Sequence, residues 1–409
     1  MLCRSDRAGK DRVVVQHEGS RAVVVGGSIG GLTAALLLRK LGFDVEVFER
    51  NPEQLENRGG GIVLQPITMR WFEGHSAKAI TELSTSSSKL RYLGPGNEIV
   101  FEEHAEWRYT SWGTVYRALL GDFGTERYHL GEFCAGLSQD ADGVELRFVS
   151  GRVERADLAV FADGISSTGR KRLFPDLQRT YAGYVGWRGT VREDQVSDRT
   201  HALLADALNY SVGDRTHCVL YLIPGMDGEL DEGRRLLNYV WYRNVAEGPE
   251  LAELTTDVRG FECPVSVHPG TVQQRYVDEV RAAAERELAP AFAEVIQRTE
   301  HPYVQVVCDI RVPRMAVGRV ALIGDAAFAA RPHAAAGSAK AAADAWMLYE
   351  HLAKTDDIVA ALRAWEPGQL ALGNQLVDRV VAMGTRSQVT NTWVPGDPDL
   401  RFGLYGPGV

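Results

Sequence analysis

The sequence predicts a mixed α/β fold in which a parallel sheet covered by helices is interrupted by an antiparallel one. Three observations lead there. RAVVVGGSIGGLTAALLLRKLGFDVEVFER, residues 21–50, runs from a β-branched strand through a glycine turn and an apolar-periodic stretch into a second alternating run, the pattern of a Rossmann-like β-α-β unit. Residues 181–242 then change character, because YVGWRGTV, NYSVGD, HCVLYLIPG and LLNYVWYR are aromatic-rich strand candidates at regular spacing. GRVALIGD, residues 318–325, returns to a continuous apolar strand, and an Ala-rich helix follows it to about Leu352.

The remaining elements are placed in order between these landmarks. Leu130 to Val149 reads as a hairpin around the turn Asp140 to Gly143, and Ala156 to Gly164 as a buried strand ending in the small-residue turn ISSTGR. The Ala-rich stretch from Val277 to Arg298 reads as helix broken at Pro290. The expected organisation is a mobile extension over 1–20 and the first part of a nucleotide-binding domain over 21–180. An antiparallel-sheet substrate domain with a connecting helix then covers 181–300. The second part of the nucleotide domain with C-terminal helices covers 301–390, and an irregular tail 391–409.

Composition narrows the class. With 409 residues, 45% hydrophobic and 24% charged, 42 Gly and 16 Pro, the chain is a folded protein's and neither a disordered one's nor a collagen's. A net charge of −9 without a basic stripe argues against a nucleic-acid partner. No apolar run approaches the roughly 18 residues of a membrane helix. The opening MLCRSDRAGKDRVVVQHEGS lacks the apolar core of a secretory signal. Five scattered cysteines without a C-x-x-C pair suit a reducing cytoplasm and suggest no metal site.

Two turns carry the chemistry. Gly26, Ser28 and Gly31 occupy the three positions of G-x-G-x-x-G, with serine in the middle; Glu49, followed by Arg50, ends the next strand, where an acid reaches a ribose diol. Gly324 and Asp325 stand at the end of the late strand, followed by Pro332 and a turn that opens a helix near Gly337. A dinucleotide spanning both edges needs a ribityl chain for Asp325 and a ring whose reduced, anionic side suits a helix N-terminus. FAD meets both demands, whereas NAD leaves the second edge idle.

Between them, Asp163, Gly164, Ser167 and Arg170 fit D-G-x-x-S-x-x-R. The order G-x-S-x-x-G, D-G-x-x-S-x-x-R, G-D-A-A resembles the FAD-dependent aromatic hydroxylases, single-component flavin monooxygenases with the p-hydroxybenzoate hydroxylase fold. YVGWRGTV, NYVWYRNVAEGP and RPHAAAGSAKA resemble the members of that family that act on dihydroxypyridines. The resemblance implies that Glu49 holds the adenosine ribose, that Arg58 and Arg117 approach the phosphates or ribityl chain, and that Asp325 binds the ribityl hydroxyls. It links Asp163 and Arg170 to the flavin-side fold and to NAD(P)H use. Two departures stand out: Phe328 follows G-D-A-A where the family has His, and Ala335, Ala336, Gly337 and Ala339 replace a G-Q-G-x-N turn.

The implied activity uses NADH or NADPH and O₂ to hydroxylate an electron-rich aromatic or N-heteroaromatic small molecule through a flavin C4a-hydroperoxide, without a metal; a homodimer is compatible with it. Such a site calls for a group that shares a ring hydroxyl's proton with a pKa near neutrality. His333 is placed for this by its position beside Pro332, and His217 and Tyr221 reach from HCVLYLIPG; the bland alternatives are a capping histidine and half-buried strand residues. Trp187 and Arg188 offer an aromatic wall and an anchor for an anion, or ordinary sheet packing, and Gln65 faces the flavin or the substrate, or is a loop polar group. Rival readings remain an oxidase, epoxidase or reductase on a non-aromatic substrate, and a flavin-binding protein without turnover.

Overall fold

The computed structural model describes residues 14–55 and 60–409. Arg58 and the first thirteen residues of the expected extension lie outside the described residues.

A six-stranded sheet runs in the order Ala316–Val317, Val320–Leu322, Leu158–Phe161, Arg21–Val25, Asp44–Glu49, Tyr128–Leu130. All pairings are parallel except the first. Ala22 to Val25 are buried, as a β-branched run covered on both faces should be. From this central strand the chain adds Asp44–Glu49 on one side and Leu158–Phe161 on the other. The strand order therefore reverses between Arg21–Val25 and Leu158–Phe161, and a crevice opens beyond their carboxyl ends, where ligands of open α/β sheets bind.

The second sheet has nine strands, in the order Ser266–Val267, Tyr303–Asp309, Thr180–Arg192, Leu236–Asn244, Thr216–Ile223, Ala207–Gly213, Thr85–Leu93, Ile99–Ser111, Gly61–Leu64. It thus recruits strands from 61–111 and 303–309 as well as from the expected 181–300. The join is the parallel pairing of Ala207–Gly213 with Thr85–Leu93, a contact between distant segments that no local pattern announces. One face is covered by helices Gln274–Glu287 and Pro290–Arg298, the second of which starts on Pro290. Trp187 is 3% exposed and packs into this covered face with Trp241 and Phe292, whereas its neighbour Arg188 points the other way. The expected aromatic wall at Trp187 is therefore corrected: strand alternation commits its ring to the core.

Both ends of the described residues are tied down. The Val15 N–H donates to the Ala353 carbonyl (3.0 Å), the His17 N–H to Leu41 (2.7 Å), and the His17 ring stacks on Phe43 at 4.4 Å. Residues 14–20 are thus anchored, not mobile. The tail is irregular, yet Trp393, Leu400, Phe402 and Leu404 are buried in the core shared with the long helix Ile358–Gln388. Arg379 of that helix donates to the Gly403 carbonyl (2.7 Å), and Arg386 pairs with Asp397. No described helix is long and apolar enough to cross a membrane.

Phe328, the residue that departs from the family pattern, lies over Gly373 of the long helix, where a Cβ would come within 2.5 to 2.6 Å of the ring. Gly373→Ala should therefore destabilise the protein by about 1–3 kcal/mol through overpacking. Gly368→Ala, in the same helix with open space around it, should stabilise it by roughly 0.5–1 kcal/mol. Urea unfolding of the two variants checks this; equal signs would contradict the packing assigned to Phe328.

Candidate functional site

The crevice is one cavity of about 930 Å³, lined from both sheets. Its nucleotide end is built by backbone geometry. Gly26 has φ +100°, and a Cβ there would press on the Ala162 carbonyl and lie 2.8 Å from the Asp163 Cα. A Cβ on Gly31 would strike the Gly26 carbonyl, so Gly31 serves helix packing and does not line the cavity. Ser28 is the N-cap of Ile29–Lys40 but its hydroxyl caps nothing, which leaves first-turn N–H groups for a ligand. The buried Glu49 carboxylate accepts the Gly27 N–H (2.9 Å) and the Asn51 N–H (3.0 Å), steadying the turn while facing the cavity with Arg50.

The second edge is braced from behind. The Gly324 N–H donates to Asp344 Oδ2 (2.9 Å), and Asp344 Oδ1 receives buried Lys340 Nζ (2.5 Å). Asp325 is exposed to the cavity, and loss of water around it in the crevice pushes its pKa up, against the pull of Arg170 and Lys340. Arg170 itself does not line the cavity. Its guanidinium donates to the Ala326 (2.9 Å), Asp325 (3.3 Å) and Ile165 (2.5 Å) carbonyls, so it stitches the two turns together. Asp163 Oδ2 accepts the Thr168 N–H (2.6 Å), and burial raises its pKa against the Ser167 and backbone donors.

Pro332 and Gly337 line the cavity as expected, and the helix Gly337–Leu352 starts there without a side-chain cap. The turn before it holds Ala335 at φ +50°, and Gln65 Nε2 donates to the Ala335 (2.9 Å) and Ala334 (3.4 Å) carbonyls. Gln65 is therefore a brace under the turn and does not line the cavity; an amide from another segment supports the loop that lacks the Gln and Asn of the family pattern. Arg117 is corrected too. It sits more than one turn into the helix Trp112–Phe123, off the cavity, and its Nη2 donates to the Met226 carbonyl (3.1 Å). These residues fit FAD: two uncapped helix N-termini and two carboxylates face one cavity, with Glu49 placed to hold the adenosine end and Asp325 the ribityl end.

Beyond Asp325 the cavity reaches the open face of the large sheet, with Tyr221, Tyr242, Arg188, His217 and His333 in its wall. His333 Nε2 lies 2.6 Å from the Tyr184 hydroxyl, which Arg331 also reaches (3.4 Å) while its fork grips Asp309 (2.8 Å at the shortest). His217 Nδ1 meets Ser387 Oγ (2.5 Å), and its ring stacks on Trp393 at 4.4 Å. Burial pushes the His217 pKa down to about 3; burial, then His217 and Arg331, hold His333 well below its ordinary value. Burial raises the Tyr221 phenol against Arg188. None of the three titrates near neutrality, which corrects the expected acid–base group. Arg188 Nε has no partner, and the adjacent Tyr303 phenol is raised by burial against that charge.

The sequence missed Tyr184, Arg331, Tyr303 and the tail residue Phe402, which also lines the cavity. Tyr184 and Arg331 stood within quoted motifs, as the first residues of YVGWRGTV and RPHAAAGSAKA; Tyr303 and Phe402 carried no signal.

Asp325→Ala should weaken FAD binding by about 1.5–3 kcal/mol, the worth of a hydrogen bond to a charged group; titration of the apoprotein by flavin fluorescence measures it, and an unchanged Kd would remove Asp325 from the site. His217 bears on stability. Its folded pKa is depressed, so the unfolded chain binds the extra proton and stability falls as pH drops from about 6.5 towards 3. Unfolding of the wild type and His217→Asn at pH 6 and pH 5 should show the variant's slope shallower by roughly 1 kcal/mol per pH unit; parallel slopes would contradict a neutral buried imidazole.

Comparisons with known proteins agree with this geometry. Residues 24–76 match a family described as NAD(P)-binding Rossmann-like domain, and residues 181–309 one described as FAD binding domain-like. The chain is 42% identical over 385 residues to 2,6-dihydroxypyridine 3-monooxygenase of Paenarthrobacter nicotinovorans, covering 94% of this chain and 96% of the relative. It is 26% identical over 418 residues to 6-hydroxynicotinate 3-monooxygenase of Bordetella bronchiseptica, covering 94% of each. The solved structure of 2,6-dihydroxypyridine-3-hydroxylase from Arthrobacter nicotinovorans superposes with a TM-score of 0.88 at 41% identity, over 94% of this chain and 96% of that one. With the Rossmann turn, the Asp325 edge and the shared cavity already in place, this likeness over nearly the whole length shows that the chain belongs to the FAD-dependent aromatic hydroxylases, enzymes that bind FAD and consume NAD(P)H.

Proposed function

We propose that the protein hydroxylates a monocyclic hydroxypyridine at a ring carbon. The overall reaction balances as NAD(P)H, a proton, O₂ and the ring C–H giving NAD(P)⁺, water and the ring C–OH. The reading is carried by one observation: the cavity that fits FAD continues, past Asp325, along a wall that includes the rings of Tyr221, Tyr242, Tyr303 and Phe402, the guanidinium of Arg188 and the imidazoles of His217 and His333. The likeness to a dihydroxypyridine monooxygenase supports the same ring class.

Bound FAD supplies the oxygen-activating chemistry. The chain's own residues receive the ring. Tyr221 and Tyr242, with Phe402 of the tail, give flat apolar surfaces that hold it and exclude water. Arg188 places a fixed positive charge in the wall, with Tyr303 beside it, so a ring that enters with one oxygen ionised, its proton left in bulk water, gains electrostatic stabilisation there. A ring carrying that negative charge is the better nucleophile. The unpaired thiols of Cys134, Cys218, Cys263 and Cys308 support a cytoplasmic setting.

The test is a panel of hydroxypyridines and phenols assayed for stimulated NAD(P)H oxidation, with mass measurement of the product. Stimulation by hydroxypyridines with a gain of one oxygen atom is expected. NAD(P)H oxidation that no ring compound accelerates, or a product without added oxygen, would overturn the proposal.

A further inference from the structure

We infer that Phe402, on the C-terminal tail, is the residue that limits the pocket to a single ring, and that Arg379 is the positioning residue that holds it there. This deepens the hydroxylase reading and rests on it for the kind of ring; where the cavity stops follows from the packing alone.

Residues 391–409 form no regular element beyond the short turn Pro398–Leu400, so their backbone groups must find partners elsewhere. Around Phe402 those partners converge. The Arg379 guanidinium donates to the carbonyls on either side of it, that of Arg401 and that of Gly403 (2.7 Å for Gly403). The Phe402 carbonyl accepts the Gly408 N–H (2.7 Å), and the Gly403 N–H donates to the Ala334 carbonyl (3.1 Å), in the turn that precedes the helix Gly337–Leu352. Gly403 has φ +149°, and a Cβ there would strike the Gly406 carbonyl oxygen, so only glycine lets the chain bend just past the ring. Arg401 also pairs with Glu103 (2.8 Å). Three consecutive residues of an irregular segment are thus pinned, and among the described residues of the tail Phe402 alone lines the cavity.

What the ring does there follows from its neighbours. Phe402 meets Trp107 edge-on at 5.7 Å and lies 6.4 Å from Tyr210, whose own ring is 6.2 Å from His217 in the pocket wall. Tyr210 is where the lining ends on that side of the large sheet: the next strand, Thr85–Leu93, contributes no described residue to the cavity. Instead its Tyr92 stacks behind Tyr210 at 4.8 Å, and Trp393 stands 6.0 Å from Tyr210. Tyr210 and Phe402 are therefore the inner face of a backed block of rings, which close packing keeps from yielding. At the opposite edge of the sheet the lining residues His268, Glu300 and His301 are exposed, so the cavity is open there and blind at Phe402. A flat ring in a blind pocket is limited in length by what stands at its end, and a second fused ring needs the volume that Phe402 fills.

The experiment compares the FAD-loaded wild type with Phe402→Ala, Phe402→Leu and Arg379→Ala on matched hydroxypyridines and hydroxyquinolines. Binding is read from the change in flavin absorbance and hydroxylation from the mass of the product. The wild type should take the pyridines and exclude the quinolines. Phe402→Ala should raise the quinoline-to-pyridine ratio of kcat/KM by on the order of 100-fold, and Phe402→Leu by less. Arg379→Ala should raise the same ratio by about 10-fold, although Arg379 does not line the cavity. A merely structural role for either residue would lower both activities together and leave the ratio unmoved. That result in a folded, flavin-loaded variant, or a wild type that accepts quinolines as readily as pyridines, would overturn the inference. Failure of the wild type to hydroxylate any pyridine would strike the functional reading instead, and the ratio of binding constants would still decide the length of the pocket. The flavin spectrum and thermal midpoint of each variant verify that it is folded and loaded.

Discussion

The guanidinium of Arg170 holds together the two turns on which the cavity depends. Those turns follow adjacent parallel strands, Leu158–Phe161 and Val320–Leu322, whose carboxyl ends form one lip of the crevice. By donating to carbonyls of Ile165, Asp325 and Ala326, it fixes their separation without entering the cavity. A second brace, the buried Lys340–Asp344 pair, takes the Gly324 N–H and fixes the angle at which Asp325 emerges. Everything ligand-facing on that edge is held from behind by groups that no ligand needs to touch.

The same division explains how much of the molecule was legible in its sequence. The glycine turn, Glu49 and Asp325 announce themselves because a tight turn or a strand's end constrains residue type locally. The hairpin around Asp140 to Gly143 and the break at Pro290 were readable for the same reason. Trp187 and Arg188 show where local reading stops: the pattern says strand, but which of two neighbours faces the cavity depends on register against Leu236–Asn244 and on the helices packed over one face. Gln65 and Arg117 failed similarly, since each side chain is committed to a loop that folds against it from far along the chain, 270 residues away for Gln65 and 109 for Arg117. Phe402 belongs to a tail whose composition suggests only turns; its burial comes from Arg379 and Arg386 reaching out of the long helix.

Electrostatics at the substrate end differ from what the chain's overall charge of −9 suggests. Around His217 and His333 the wall carries Arg188 beside protonated phenols, and Asp309 nearby is occupied by Arg331. Such a wall welcomes negative charge on the ring while offering no strong base, so ionisation is favoured by stabilising the product anion and not by collecting its proton. The departures from the family pattern fit the same economy of parts: Phe328 fills the notch over Gly373, and the turn at Ala335 borrows its support from Gln65.

The central claim is that a single extended cofactor lies along one cavity, its adenosine end at Glu49 and its ribityl chain at Asp325, with the ring pocket of His333 and Arg188 directly beyond. A crystal structure of the FAD-loaded protein tests this most directly. Density running unbroken from the Gly26 turn past Asp325, with the tricyclic ring bordering the Tyr221 and His333 wall, is the expected result. An adenosine moiety away from Glu49, or a ring system separated from that wall by protein, would contradict it.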